Sequence, residues 1–153
     1  MSISWLSESA TNLGTLISNG KIDPIELTEV YLDEIEKHSL RNRIYSTVTA
    51  DRARAEAKAA SGRMKSGMRR SHLDGVPISW KDLFDTSDIL TEAGTELLKG
   101  RIPKTDATVL RNATEAGLIC LGKTHMSELA FSGLGLNPIT QSPPSINNLN
   151  AVA

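Results

Sequence analysis

Residues 73–85 read Leu73-Asp74-Gly75-Val76-Pro77-Ile78-Ser79-Trp80-Lys81-Asp82-Leu83-Phe84-Asp85. Val76 to Leu83 reads as a strand, with Val76, Ile78 and Trp80 pointing one way and Pro77, Ser79 and Lys81 the other. Working outward, two more strands are expected. Ile44 to Thr49 is short and β-branched, and Leu118 to Leu121 is continuously apolar, which predicts burial on both faces. An alanine-rich helix is expected from Asp51 to about Ser61, ended by Gly62, with residues 62–72 as a basic exposed loop. Another helix starts at Thr105 or Asp106, buries Val109, Leu110, Ala113 and Ala116, and closes at Gly117. Upstream, Ser7 is expected to cap a helix reaching Ser18, with Asn19-Gly20 as its stop. Asp23-Pro24-Ile25-Glu26 combines a cap, a proline at the first helical position and an acidic third residue. The helix it opens runs to about His38 with Leu27, Val30, Tyr31 and Ile35 on one apolar face. Strands alternating with helices predict an α/β fold: N-terminal helices followed by part of a mixed, mainly parallel sheet flanked by helices. The expected organisation is a helical lead-in over 1–40, a partial α/β core over 41–136 and an irregular tail over 137–153. In that tail Pro138, Pro143 and Pro144 sit among Asn, Ser, Gln and Thr, with no helix or strand to tie it down.

Composition narrows the function. The 17 basic and 18 acidic residues nearly cancel, which leaves no bulk electrostatics to hold nucleic acid or an anionic membrane. No basic stretch is interleaved with aromatics either. The N-terminus lacks the basic start and apolar run of a secretory signal, and no stretch approaches a membrane span, so the cytoplasm is the expected compartment. Cys120 is the single cysteine; within Leu118–Leu121 it reads as a small buried hydrophobe rather than a nucleophile. His38, His72 and His125 show no paired metal-ligand spacing, so no metal is expected.

Lys81 is the residue that could carry chemistry. A lysine at the end of a buried strand gives up hydration, which disfavours its charge and makes it a usable proton acceptor. The plainer reading of the same spacing is a solvated Lys81–Asp82 pair where the strand leaves the core, and spacing alone favours it.

The motifs around Lys81 change that balance. Gly75–Thr86, GVPISWKDLFDT, resembles the lysine motif of the amidase signature family, a Gly-Val-Pro followed by apolar residues and Lys-Asp. Thr91-Glu92-Ala93-Gly94-Thr95 resembles that family's Thr-Thr-Ala-Gly-Ser loop, and Asp106-Ala107-Thr108-Val109-Leu110 through Ala116-Gly117 resembles its next helix. Gly122-Lys123-Thr124-His125-Met126-Ser127-Glu128-Leu129-Ala130 is similar to its Gly-Lys-Thr-Asn-Met-x-Glu-Phe-Ala segment, and Phe131 to Pro138 continues in register. Trp80, Glu92 and His125 depart from the commoner family residues.

The resemblance implies hydrolysis or transfer of a carboxamide through two serines and a lysine. One serine attacks the carbonyl; the second, held by a cis peptide bond, relays its proton to an uncharged lysine, which by motif match is Lys81. Serine and lysine suffice for that acyl transfer, so no cofactor is implied, and the substrate is a small-molecule amide. The family places its serines in Gly-Gly-Ser-Ser-Gly-Gly-Ser and Gly-Ser-Asp-x-Gly-Gly-Ser stretches, and neither occurs in these residues; Ser142 and Ser145 lie outside any glycine-rich context. The expectation is an N-terminal portion, with a native start at Met1, that ends before both serines and is inactive by itself. Two alternatives stand beside a free-standing amidase. One is the A subunit of a tRNA-dependent amidotransferase, with partner subunits; the other is a non-catalytic fragment or interaction module. A sheet lacking its later strands would expose an edge and apolar surface and favour oligomers, a homodimer included.

Three further patterns carry less. Gly117-Leu118-Ile119-Cys120-Leu121-Gly122-Lys123-Thr124 fits the phosphate-loop expression, but its four intervening residues are expected to be the strand itself rather than a loop following one. Asn112-Ala113-Thr114 is a glycosylation sequon inside a predicted helix. Ser132 could line the acyl pocket without being catalytic.

Overall fold

The computed structural model describes residues 2–152. They form two compact units: the first holds the chain up to Lys37, Thr49–Ile78 and Arg111–Leu121, and the second holds His38–Val48, Ser79–Leu110 and the chain from Gly122 onward.

In the first unit, helix α1 (Ala10–Ser18) is capped by Ser9, whose Oγ accepts the Asn12 N–H at 3.1 Å. The expected cap, Ser7, instead ends a short 3-10 helix (Ser2–Ser7), because the chain already winds before the α-helix begins. Helix α2 (Pro24–Lys37) starts as expected: Asp23 Oδ1 accepts the Ile25 N–H at 2.9 Å. Its buried stripe is Leu27, Thr28, Leu32 and Ile35, with Val30 and Tyr31 only half-buried at its margin. Leu13, Ile17, Ile22, Leu27 and Val76 form the aliphatic core of this unit, with Tyr31, Met64 and Leu73 packed against it.

Helix α4 (Ala50–Lys65), preceded by the short α3 (Arg41–Ile44), does not stop at Gly62. A helical glycine costs only about 1 kcal/mol, and continuing brings Met64 to the core and Arg63 to Asp74. The stop comes at Gly67, which is left-handed at φ +70. Helix α5 (Thr108–Glu115) starts later than expected and buries Leu110, while Val109 is exposed. Asp106 is drawn instead to the loop before it, where its Oδ1 accepts the Ser87 N–H at 2.7 Å. Gly117 closes α5 in a left-handed conformation, and a Cβ there would collide with the Asp74 carboxylate.

Asp74 is the electrostatic anchor of this unit. Its side chain is buried and accepts two hydrogen bonds from Arg63, one of them at 2.8 Å from Nε, and a third from the Arg70 N–H at 2.8 Å. Burial opposes its ionisation, but the Arg63 hydrogen bonds and the Arg70 amide outweigh it and hold the carboxyl below its ordinary value of 3.8. With the folded-state value below the unfolded one, the pair's contribution is complete above pH 3.8 and is lost as pH falls through the folded value. Asp74→Asn should therefore cost about 2 kcal/mol near neutral pH. Urea unfolding at a series of pH values should show the parent and the variant converging as pH falls below 3.8.

The three-stranded sheet has the order β1-β3-β2. Strand β1 (Tyr45–Val48) runs antiparallel to β3 (Ile119–Thr124), with Tyr45 opposite Thr124 and Thr47 opposite Lys123. Strand β2 (Pro77–Lys81) lies on the other side of β3. The Ile119 N–H bonds Val76 O and the Asp82 N–H bonds Thr124 O, both at 3.0 Å, so the two strands ascend together in parallel. The sheet is mixed, as expected. Its central position explains why β3 is buried from Ile119 through Lys123, two residues beyond the expected apolar run. Among the described residues, β1 and β2 are its edges.

The tail is not irregular. Strands β4 (Pro144–Ser145) and β5 (Asn148–Val152) form an antiparallel hairpin. Pro144 needs no ladder N–H at its place, and Ser145 Oγ accepts the Asn147 N–H at 3.3 Å across the turn. In the second unit Phe131, Leu134 and Leu136 are exposed.

Candidate active site

Lys81 is the last residue of β2 and belongs to the second unit. Its side chain is exposed, which corrects the expectation of a buried strand-end lysine. The plainer reading also fails, because Asp82 is not its solvated partner: Asp82 is 4% exposed and turned inward. Strand alternation sends the two side chains to opposite sides. On the side of Lys81, two residues back, Ser79 Oγ lies 2.7 Å from the Tyr45 hydroxyl. Trp80, turned inward like Asp82, meets Phe84 edge-to-face at 5.5 Å between ring centroids.

Asp82 pairs with Lys123, which is 0% exposed and the largest fully buried side chain. Lys123 Nζ donates to Asp82 Oδ1 at 3.2 Å and to Thr91 Oγ1 at 2.9 Å. The other carboxylate oxygen accepts the Glu92 N–H at 3.1 Å. This places the lysine motif, the Thr91–Thr95 turn and the Gly-Lys-Thr segment in one buried network. It also disposes of the phosphate-loop pattern, because Gly122 and Lys123 are strand residues and the ammonium is committed inside the protein.

Two pairs of left-handed residues face each other beside this network. Ala93 (φ 50) and Gly94 (φ 65) lie in the first turn; Leu129 (φ 49) and Ala130 (φ 58) lie in a 3-10 turn (Glu128–Ala130). The Leu129 N–H donates to Ala93 O at 3.0 Å, and the Asn137 side-chain amide donates to Gly94 O and Met126 O at 2.8 Å each. Thr95 Oγ1 donates to Glu128 Oε1 at 2.7 Å. Strained backbone held by this many bonds is usual at functional sites. A Cβ on Gly94 would lie 2.5 Å from Asn137 Nδ2 on a left-handed backbone. Gly94→Ala should therefore destabilise the protein by about 2–4 kcal/mol, read as a lower urea midpoint at unchanged slope.

A cavity of about 110 Å³ opens at this network, lined by Ser46, Asp82, Glu92, Gly94, His125, Met126 and Thr140. The larger cavity, about 310 Å³, lies in the first unit beside Glu56, Arg63 and Arg70 and contains no residue of the lysine motif. Its charged groups are committed, Arg63 to Asp74 and Glu56 to the Cys120 N–H. Arg101 donates to both Asp85 oxygens, and its hydrogen bonds hold that carboxyl below the usual range.

The serines weighed from sequence are not brought to Lys81. Ser142 Oγ accepts the Asn137 N–H, Ser145 bonds its own turn, and Ser132 Oγ accepts the Leu134 N–H. Cys120 is buried, as read. Among the described residues no group of three His, Cys, Asp or Glu side chains could hold a metal ion, and no helix is long and apolar enough to cross a membrane. Sequence reasoning missed the buried Lys123 as the partner of Asp82. The available signal was a lysine following directly on a fully buried strand, which has to meet a carboxylate.

Comparison with known proteins gives consistent matches. The Amidase family model matches residues 26–150. Over 124 residues the chain is 41% identical to the A subunit of the glutamyl-tRNA(Gln) amidotransferase of Anaeromyxobacter dehalogenans, covering 81% of this chain and 25% of that protein. The chain thus spans about a quarter of the length of the curated relatives it matches. The native peptide amidase of Stenotrophomonas maltophilia superposes with a TM-score of 0.74 at 28% identity, over 93% of this chain and 29% of that one. A chain from a vestigial protein complex tied to the origins of an s-triazine catabolic enzyme shares the fold with a TM-score of 0.88 at 24% identity, over 95% of this chain and 32% of that one.

Proposed function

The chain belongs to the amidase family, and from that premise we propose that it is the lysine-bearing N-terminal portion of a single amidase domain that cleaves a carboxamide C–N bond. Lys81 is the proton acceptor. The observation that carries this reading is the placement of Lys81 at the end of β2, exposed and without an ion-pair partner among the described residues, next to a residue locked inward. A lysine so placed is available to an incoming hydroxyl. In the proposed reaction a serine oxygen bonds the carbonyl carbon, and its proton passes through a second serine to the Lys81 amine. The resulting ammonium then protonates the leaving nitrogen. Water repeats the sequence to release the acid.

Residues 1–153 contain neither glycine-rich serine stretch, so the reaction needs segments beyond them. The test is ammonia release from simple primary carboxamides by the amidase that contains these residues. No turnover on any carboxamide, glutamine included, would sink the reading. Turnover by residues 1–153 alone, lost on Lys81→Ala, would show that the serines lie within them after all.

A second reading is favoured by the 41% identity to the A chain of a tRNA-dependent amidotransferase. On it, glutamine is the ammonia source and the protein works in the cytoplasm with partner subunits. Co-purification with those subunits and glutamine-dependent ammonia release that rises in their presence support it; full activity on aryl amides by the lone protein supports the free-standing enzyme.

A further inference from the structure

We propose that Lys123 is a positioning residue for Lys81, acting through Asp82: the buried Lys123–Asp82 pair fixes the end of β2 so that Lys81 is turned to the open side. The proposal rests on the amidase reading of Lys81.

Asp82 is held from every side. Its N–H is laddered to Thr124 O at 3.0 Å, one carboxylate oxygen takes Lys123 Nζ at 3.2 Å, and the other takes the Glu92 N–H at 3.1 Å. Lys123 is itself fixed by Thr91 Oγ1 at 2.9 Å, and that hydroxyl donates onward to Ile89 O at 3.2 Å. Lys81, one residue earlier, has none of these restraints on its side chain. What directs it is strand geometry: successive side chains leave on opposite sides, so pinning Asp82 inward sends Lys81 outward. A slip of one residue would bury Lys81 and expose Asp82.

Stability is a weak reason to keep such a pair. Burying two charges costs desolvation, and apolar replacements of similar volume are often neutral or stabilising. Fixing register is the better-attested use of a buried ionic group. The gain here falls on the neighbouring residue, because a proton acceptor misplaced by about 1 Å can lose about 100-fold in rate.

The experiment uses the amidase that contains these residues, with a simple primary carboxamide as substrate. Asp82→Asn with Lys123→Met keeps the side-chain volumes and an acceptor for the Glu92 N–H, and leaves no uncompensated buried charge. The double variant is expected to fold, to keep KM within about threefold, and to lose about 10- to 100-fold in kcat per folded enzyme. A lowered Tm with kcat per folded enzyme within twofold of the parent shows a merely structural pair and overturns the proposal. If the double variant does not fold, Thr91→Val decides by the same two numbers: it removes one acceptor from Lys123 and leaves the ion pair. A fall in its kcat at parental KM supports the positioning role; unchanged kcat overturns it. Failure of the underlying reading looks different. There the parent itself is inactive, or Lys81→Ala turns over like the parent, and both proposals fall together.

Discussion

Lys81→Ala should lower the kcat/KM of the enzyme by about 10²–10⁴-fold, the range for removing a general base from a serine nucleophile. The loss should sit in kcat with KM near the parental value, because the amine acts on a proton in flight and not on the bound amide. Lys81→Arg should be as inactive, since a guanidinium keeps its proton. Neither change should alter folding. Lys81 is exposed and has no ion-pair partner among the described residues, so the unfolding free energy should move by no more than about 0.5 kcal/mol. That combination, deep loss of rate with an unmoved urea midpoint, separates a proton acceptor from a structural lysine.

The adjacent residue should behave in the opposite way. Asp82→Ala leaves Lys123 as a wholly buried ammonium that has lost its carboxylate, with Thr91 Oγ1 still accepting from it, and deprives the Glu92 N–H of its partner. Removing one member of a buried ion pair costs about 3–5 kcal/mol, much of it the cost of an uncompensated charge. Urea unfolding should show the midpoint falling steeply at unchanged slope. A cost below about 1 kcal/mol would mean that Lys123 finds water, contrary to its burial. Two neighbouring positions, the last residue of β2 and the one after it, would then divide the work, one carrying the reaction and the other the local fold.

The parts of this architecture that local chemistry dictates were readable in advance. Asp23-Pro24 had to open α2, Gly117 had to close α5, and the apolar run at Leu118–Leu121 had to be a strand buried on both faces. The misread parts depend on partners distant in sequence. Gly62 is a plausible helix stop until Arg63 is seen to reach Asp74 and Met64 to reach the core. Val109 fits an apolar stripe but is exposed, while Thr28, polar by type, is buried. Pro143 and Pro144 suggest irregular chain, yet Pro144 tolerates an edge position in a hairpin. In the site, the motifs singled out Lys81 for the proposed role, but its exposure and the burial of Asp82 could not be read from spacing. Asp82 is held inward by Lys123, which lies 41 residues further along the chain and meets it only through the parallel pairing of β2 with β3.

Acyl transfer that uses Lys81 is the central step, and partition with hydroxylamine measures it directly. An acylated serine is captured by hydroxylamine as well as by water, so the enzyme incubated with a primary carboxamide and hydroxylamine should form hydroxamate alongside ammonia. Both products should fall together in Lys81→Ala. Ammonia without hydroxamate, or parental amounts of both products from the Lys81→Ala enzyme, would contradict it.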